Sequence, residues 1–160
     1  MRRAAASVTV VTTSGATGRA GVTVSAMCSV SADPPTLLAC IHRRSAAASR
    51  IVENGNFCVN ILAEGQRDVA EWFAGLRRHP DADRFDCATW RDLGGYGLAL
   101  EGALAVFGCR LADAHSVGSH LILIGAPAIV AHGEGLPLIY ADRSFGVPLL
   151  ETVGDPLALC

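Results

Sequence analysis

A chain of 160 residues has room for one domain with a real core, and 51% hydrophobic against 18% charged residues describes a well-buried globule under a thin polar coat. The formal net charge of −2 leaves no electrostatic case for nucleic acid, which calls for a clustered basic face, and no apolar run approaches the ~20 residues needed to span a bilayer. All 13 basic residues are arginine, which excludes a P-loop lysine and any lysine Schiff base and leaves arginine to handle an anionic ligand.

The N-terminus carries two arginines with no long apolar region and cleavage site behind them, so the chain reads as soluble and cytoplasmic. Arg2–Ser7 is short and alanine-rich, as in the last turn of a helix, and a helix so near the start suggests a preceding segment. Val8–Thr13 (VTVVTT) is β-prone, and the glycine-bearing stretch Ser14–Arg19 separates it from Gly21–Ser31, so the two runs are expected to form a hairpin. Within Gly21–Pro35 (GVTVSAMCSVSADPP) the apolar–polar alternation is that of a half-buried strand, and after Ser25 the residues are small. Little bulk there stands between the backbone and a flat polar heterocycle; a core strand packed against a helix is the plainer account of the same pattern. Asp33-Pro34-Pro35 forces an extended exit.

Thr36–Ile41 (TLLACI) predicts a strand covered on both faces. His42-Arg43-Arg44-Ser45 follows it, and Ala46–Val52 reads as a helix ending near Asn54-Gly55. Arg43, Arg44 and Ser45 therefore fall at a strand-to-helix corner, where exposed amides and the helix dipole favour an anion such as phosphate; a solvated arginine pair fits the same pattern.

Phe57–Leu62 is a further strand, and Gln66–Leu76 an amphipathic helix with Val69, Ala70, Phe73 and Leu76 at helical spacing, ended by Pro80 and Asp81–Asp83. Trp90–Gly97 reads as loop, Ala103–Leu111 and Ser119–Val130 as long strands, the second broken at Pro127, and Leu136–Tyr140 as a short last strand. Asp142–Leu150 closes a single domain over 1–150, with 151–160 as a tail.

The six cysteines lack any C-x-x-C pairing and, with Cys28, Cys40, Cys58 and Cys109 in strand-like apolar surroundings, read as buried free thiols acting as small hydrophobes. His115 and His120 point to opposite faces of an extended segment, a poor arrangement for a shared metal, so no metal is expected. Roughly six or seven strands with two inserted helices, and no regular β-α alternation, predict a mainly β protein, an antiparallel Greek-key split β-barrel. No G-x-G-x-x-G follows any strand, which argues against a Rossmann site.

In this order the segments VTVVTT, GVTVSAMCSVSADPP, LLACIHRRS (Leu37–Ser45), GNFCVNIL (Gly55–Leu62), Gln66, WFAG (Trp72–Gly75), Arg84-Phe85, GSHLILIG (Gly118–Gly125) and PLIYADRSF (Pro137–Phe145) resemble the short-chain flavin reductase family. These are the FMN-binding split barrels that serve as reductase components of two-component monooxygenases. The resemblance implies a homodimer binding FMN or FAD near the subunit interface, reducing it with NADH or NADPH and supplying a monooxygenase through diffusing reduced flavin. It implies that Val24, Ser25 and Ala26 hold the flavin ring, that Ser31 and Asp33 lie near the ribityl chain and ring edge, and that Cys40, His42, Arg43, Arg44 and Ser45 run beside the phosphate. Arg84 and Phe85 belong to the same cofactor-binding set. His120 is the implied catalytic residue, with Tyr140 and Arg143 where nicotinamide or flavin is presented.

Departures from the family pattern are His42 where asparagine is frequent, Arg44 where a small hydroxyl residue is frequent, Ser119 where many members have aspartate, and a short N-terminal helix. A non-catalytic flavin- or haem-binding split barrel is the alternative of another class; hydride turnover separates the two.

Overall fold

The computed structural model describes residues 3–77 and 83–149. Its body is a seven-stranded antiparallel sheet built from β2 (Thr9–Thr13), β3 (Ala20–Val24), β4 (Met27–Ala32), β5 (Pro35–His42), β6 (Asn56–Ile61), β9 (Ala105–Val117) and β10 (His120–His132). Their spatial order is β3-β2-β6-β9-β10-β5-β4. The strands at the two edges, β3 and β4, are thus consecutive in the chain. The segment expected as one strand, Gly21–Ser31, is divided: its first half pairs with β2, its second half with β5, and Ser25 and Ala26 lie between the two strands. Those two small residues carry the chain from one edge of the curled sheet to the other. This is the split of a split barrel, and the expected fold class holds.

The hairpin of β2 with β3 forms as expected. Strands β2 and β6 are buried along nearly their whole length because each face has its own cover. On the inner face Val11, Phe57 and Val59 pack with Leu37, Ala39, Ile41, Leu121, Leu123 and with Ala47, Ala48 and Ile51 of helix α1 (Ala46–Asn54). On the outer face Val8, Val10 and Cys58 meet Val69, Ala70 and Phe73 of helix α2 (Arg67–Phe73) and the small hairpin of β7 (Trp90–Asp92) with β8 (Leu98–Leu100). That hairpin lies where a loop was expected, its strands being too short for a readable period. It is tied to the barrel by buried polar groups: Asn60 accepts the Leu100 N–H at 2.7 Å and donates to the carbonyls of Val10 and Leu98, and Thr12 Oγ1 donates to the Leu98 carbonyl at 2.6 Å. Gly97, at φ 85°, sits so close to the Cys58 and Thr12 backbones that a Cβ there would lie 2.7 Å from Cys58 N.

Other expectations are corrected. Ala6–Ser7 is not a helix end but a short strand, β1, which pairs with β11 (Ile139–Ala141), itself paired with β12 (Ser144–Gly146); cross-strand hydrogen bonds outweigh alanine's helical preference. Strand β5 is covered on one face only: Leu37, Ala39 and Ile41 are buried, while Leu38, Cys40 and His42 are partly open. Strand β10 runs through Pro127 rather than breaking there. Beyond Gly125 it has left β5, and a register shift falls between Pro127 and Ile129, so the missing proline N–H costs no ladder bond on that side. Helix α2 is shorter than expected, following a 3-10 turn at Glu64–Gln66 and stopping before Gly75 at φ 75°. Pro80 and the tail 151–160 lie outside the described residues, as does Cys160.

Candidate active site

The break between β3 and β4 opens a cavity of about 430 Å³. Val22, Thr23, Val24, Ser25 and Ala26 form one wall, Cys40 and His42 of β5 and His120 of β10 another, and Ala74, Leu76, Tyr140 and Phe145 the rim. The arrangement follows from strand register. His42 and His120 are directly paired across β5 and β10, so their rings meet edge to face at 5.4 Å. Ala26 O accepts the Cys40 N–H at 2.8 Å, which continues the β4–β5 ladder and fixes the break against β5.

Each imidazole is held. His42 Nδ1 accepts the Arg44 N–H at 3.2 Å, which in the neutral ring leaves Nε2–H as a donor. His120 Nδ1 is 2.9 Å from Ser119 Oγ, so the neighbouring serine contacts the histidine directly. Tyr140 and Phe145 stack edge to face at 5.2 Å across the β11–β12 hairpin. The Cys40 thiol is pushed up by its partial burial and, next, by Cys28 nearby.

Beyond His42 the chain turns through Arg43 and Arg44, both exposed, into α1. Ser45 caps that helix, its hydroxyl oxygen accepting the Ala47 N–H at 3.2 Å. Its hydroxyl proton is still available to a ligand oxygen. Among the described residues neither Arg43 nor Arg44 makes an ion pair.

Of the residues singled out in the sequence, Val24, Ser25, Ala26, Cys40, His42, His120 and Tyr140 border one cavity, with Arg43, Arg44 and Ser45 directly after it in the chain. The others lie elsewhere. Ser31 and Asp33 sit at the β4–β5 turn, bonded to each other. That turn is at the far end of the eight-residue strand β5 from His42, roughly 23 Å away at ~3.3 Å per residue. Phe85 is a core side chain, 5.0 Å from Phe73 and 5.1 Å from Trp90, and Arg84 beside it is exposed. Arg143 is in the two-residue turn between β11 and β12 at φ 66° and is exposed. Sequence reasoning did not find Ala74, Leu76 or Phe145 as cavity residues; a helix end and a hairpin bring them in from separate parts of the chain. Among the cysteines, Cys58 and Cys109 are buried as expected, their thiols pushed up to about 12 by desolvation, whereas Cys28 is exposed rather than buried, because among the described residues nothing covers the outer face of β4. Among the described residues no group of three or more metal-ligating side chains could hold an ion.

Residues 1–147 match the flavin reductase like domain. The chain belongs to the flavin reductase family. This reductase is 47% identical over 146 residues to the FMN reductase (NADH) RutF of Methylorubrum extorquens strain AM1, covering 91% of this chain and 72% of the relative. Among solved structures it is similar to BorF, the flavin reductase component of a bacterial two-component tryptophan halogenase (32% identity, TM-score 0.82, 91% of this chain and 92% of that one). It is similar also to the flavin reductase PheA2 (27% identity, TM-score 0.85, 94% of both chains). The reductase is thus an oxidoreductase of flavin and nicotinamide. No helix among its described residues is long and apolar enough to cross a membrane.

The cavity fits a flavin. Small side chains at Ser25, Ala26 and Ala74 leave a flat slot, and the imidazoles and aromatic rings opposite suit a planar ring. The Arg43–Arg44 corner offers the planar donor forks that suit a phosphate ester.

Proposed function

We propose that this chain transfers hydride from NADH to FMN, with FAD as a second substrate, and releases reduced flavin to a partner oxygenase. The observation that carries the reading is the join of a small-residue slot, Val24–Ala26, to the exposed arginine corner Arg43–Arg44 through the His42–His120 pair. The relatives' names as NADH-dependent FMN reductase and as halogenase component support the choice of donor and of recipient. They support a catalytic role over a storage or sensing one.

Bound flavin supplies the hydride acceptor, its ring N5, for C4 of the reduced nicotinamide. The protein's contribution is positioning, because hydride transfer needs the reacting atoms roughly 3–3.5 Å apart. The Ser25–Ala26 backbone lies along the ring, where amides can serve its polar edge. Arg43 and Arg44, with the Ser45 hydroxyl, bind the phosphate at the end of β5. His120, held by Ser119, faces the open side of the slot and orients the nicotinamide, while Tyr140 and Phe145 exclude water from the rim. Such a site needs no acid–base pair. Its openness suits a flavin that binds, is reduced and leaves.

The same reading includes a homodimer. Leu76 (71% exposed) and Tyr140 at the cavity rim, and Val117 (58% exposed) opposite His120, are apolar groups at the surface that a second subunit would cover. The test is NADH consumption by purified protein with added FMN, followed by the loss of nicotinamide absorbance. Turnover that requires flavin supports the reading, and flavin binding without turnover overturns it.

A further inference from the structure

Cys28 and Cys40 lie on neighbouring strands and on the same face of the sheet. Strand β4 pairs Met27 with Ala39 and Cys28 with Leu38, so Cys40 is the diagonal neighbour of Cys28. Met27 packs into the barrel interior and Ala39 is fully buried, which turns both thiols outward. Cys28 is exposed, and Cys40 borders the cavity. The two are close enough for the charge of one to raise the other.

We propose that Cys28 and Cys40 form a reversible disulfide that closes the cavity to flavin, a redox-sensitive site at its wall. Diagonal Cα atoms on antiparallel strands are about 7–8 Å apart, and a disulfide holds them within roughly 6.8 Å, so bridging requires the strands to shift by about 1 Å. Strand β4 can make that shift because it is an edge strand, paired among the described residues with β5 alone. The displacement acts directly on the wall: Ser25 and Ala26 precede Met27 and Cys28, and Ala26 is hydrogen-bonded to Cys40 itself. A bridge formed under such strain is readily reduced, as a switch requires.

The oxidant is hydrogen peroxide. This part rests on the flavin reductase reading, since reduced flavin that meets no oxygenase passes two electrons to dioxygen and yields peroxide. Peroxide oxidises the exposed Cys28 thiol to a sulfenic acid with loss of one water. The Cys40 sulfur then displaces hydroxide from it, which leaves with the Cys40 proton as a second water. Two thiols and one peroxide become one disulfide and two waters. The chemistry makes the reductase sense its own uncoupled turnover.

The experiment treats the full flavin-free chain with hydrogen peroxide and maps cysteine linkages by peptide mass, alongside FMN fluorescence titration before and after and again after dithiothreitol. The expected result is a Cys28–Cys40 linked peptide, loss of FMN quenching that dithiothreitol restores, and a Cys28→Ser variant that binds FMN as the untreated protein does and keeps that binding in peroxide. Absence of the linked peptide, or equal peroxide sensitivity in Cys28→Ser, overturns the proposal. The mapping reads the bridge without reference to flavin. A bridge that forms in a chain that never bound FMN would therefore refute the flavin site and the proposed closure while leaving the thiol pair established.

Discussion

Replacing Arg44 by alanine separates a phosphate seat from a solvated arginine. The side chain is exposed and without an ion-pair partner among the described residues, so its removal orphans no protein charge. A unit charge pair at about 4 Å is worth ~1 kcal/mol in water and ~4 kcal/mol where solvent is partly excluded; an exposed corner belongs near the lower figure. A phosphate monoester carries about −1.5 to −2 charges at neutral pH, so Arg44 contributes roughly 1.5–2 kcal/mol to FMN binding. At ~1.4 kcal/mol per tenfold, Arg44→Ala weakens FMN about 10- to 30-fold. Riboflavin has the same ring without the phosphate and should lose almost nothing. The assay is quenching of flavin fluorescence for both ligands in parallel, at low salt and again near 1 M, where the Debye length is ~3 Å and the FMN-specific difference should shrink. Equal losses for FMN and riboflavin, or a difference that salt leaves untouched, would refute the phosphate seat at this corner.

The other predictions concern the nicotinamide side, the thiols, the scaffold and pH. His120→Ala should raise the KM for NADH and slow hydride transfer in stopped-flow while FMN affinity stays near that of the parent; unchanged kinetics would return His120 to a structural role. Native-state alkylation with iodoacetamide near pH 8 should label Cys28 rapidly and spare Cys58 and Cys109, whose thiols stand at about 12; labelling of the buried pair at the same rate would contradict the packing. Asn60→Ala strips the Leu100 N–H of its side-chain acceptor and should cost roughly 2–4 kcal/mol, lowering Tm by about 5–15 °C. Asp83 is held below the usual carboxylate range first by the Phe85 N–H and then by Arg19, and Glu71 by Arg67 and Arg77. Both depressed carboxyls stabilise the fold above their ordinary values near pH ~4 and lose that contribution as pH falls through the lowered ones, so the urea midpoint should be flat above pH ~5 and decline below it.

The split-barrel class was readable because most of its strands carry their own signals: VTVVTT, TLLACI and FCVNIL are runs that only a sheet buries well. The corner after β5 was readable for the same local reason, a strand end followed by a capped helix. What could not be read is whatever depends on pairing across the chain. The division of Gly21–Ser31 into β3 and β4 leaves no mark in a run that alternates and then shrinks, because the change lies in which neighbour each half finds. The resemblance puts Phe85 in the cofactor-binding set; its ring packs between Phe73 and Trp90, a place set by α2 and the β7–β8 hairpin, which no local pattern joins. The resemblance implies Ser31 and Asp33 near the ribityl chain and ring edge; the β4–β5 turn that holds them is at the far end of β5 from His42, because an extended chain advances ~3.3 Å per residue. A different pairing, the β5–β10 register, brings His42 against His120.

The most direct measurement is a crystal structure of the chain with FMN. The expected result is the ring lying along Val24–Ala26, facing His42 and His120, with the phosphate within hydrogen-bond reach of Arg43 or Arg44. Flavin bound elsewhere, for instance in the second cavity of about 420 Å³ beside Trp90 and His132, would contradict it.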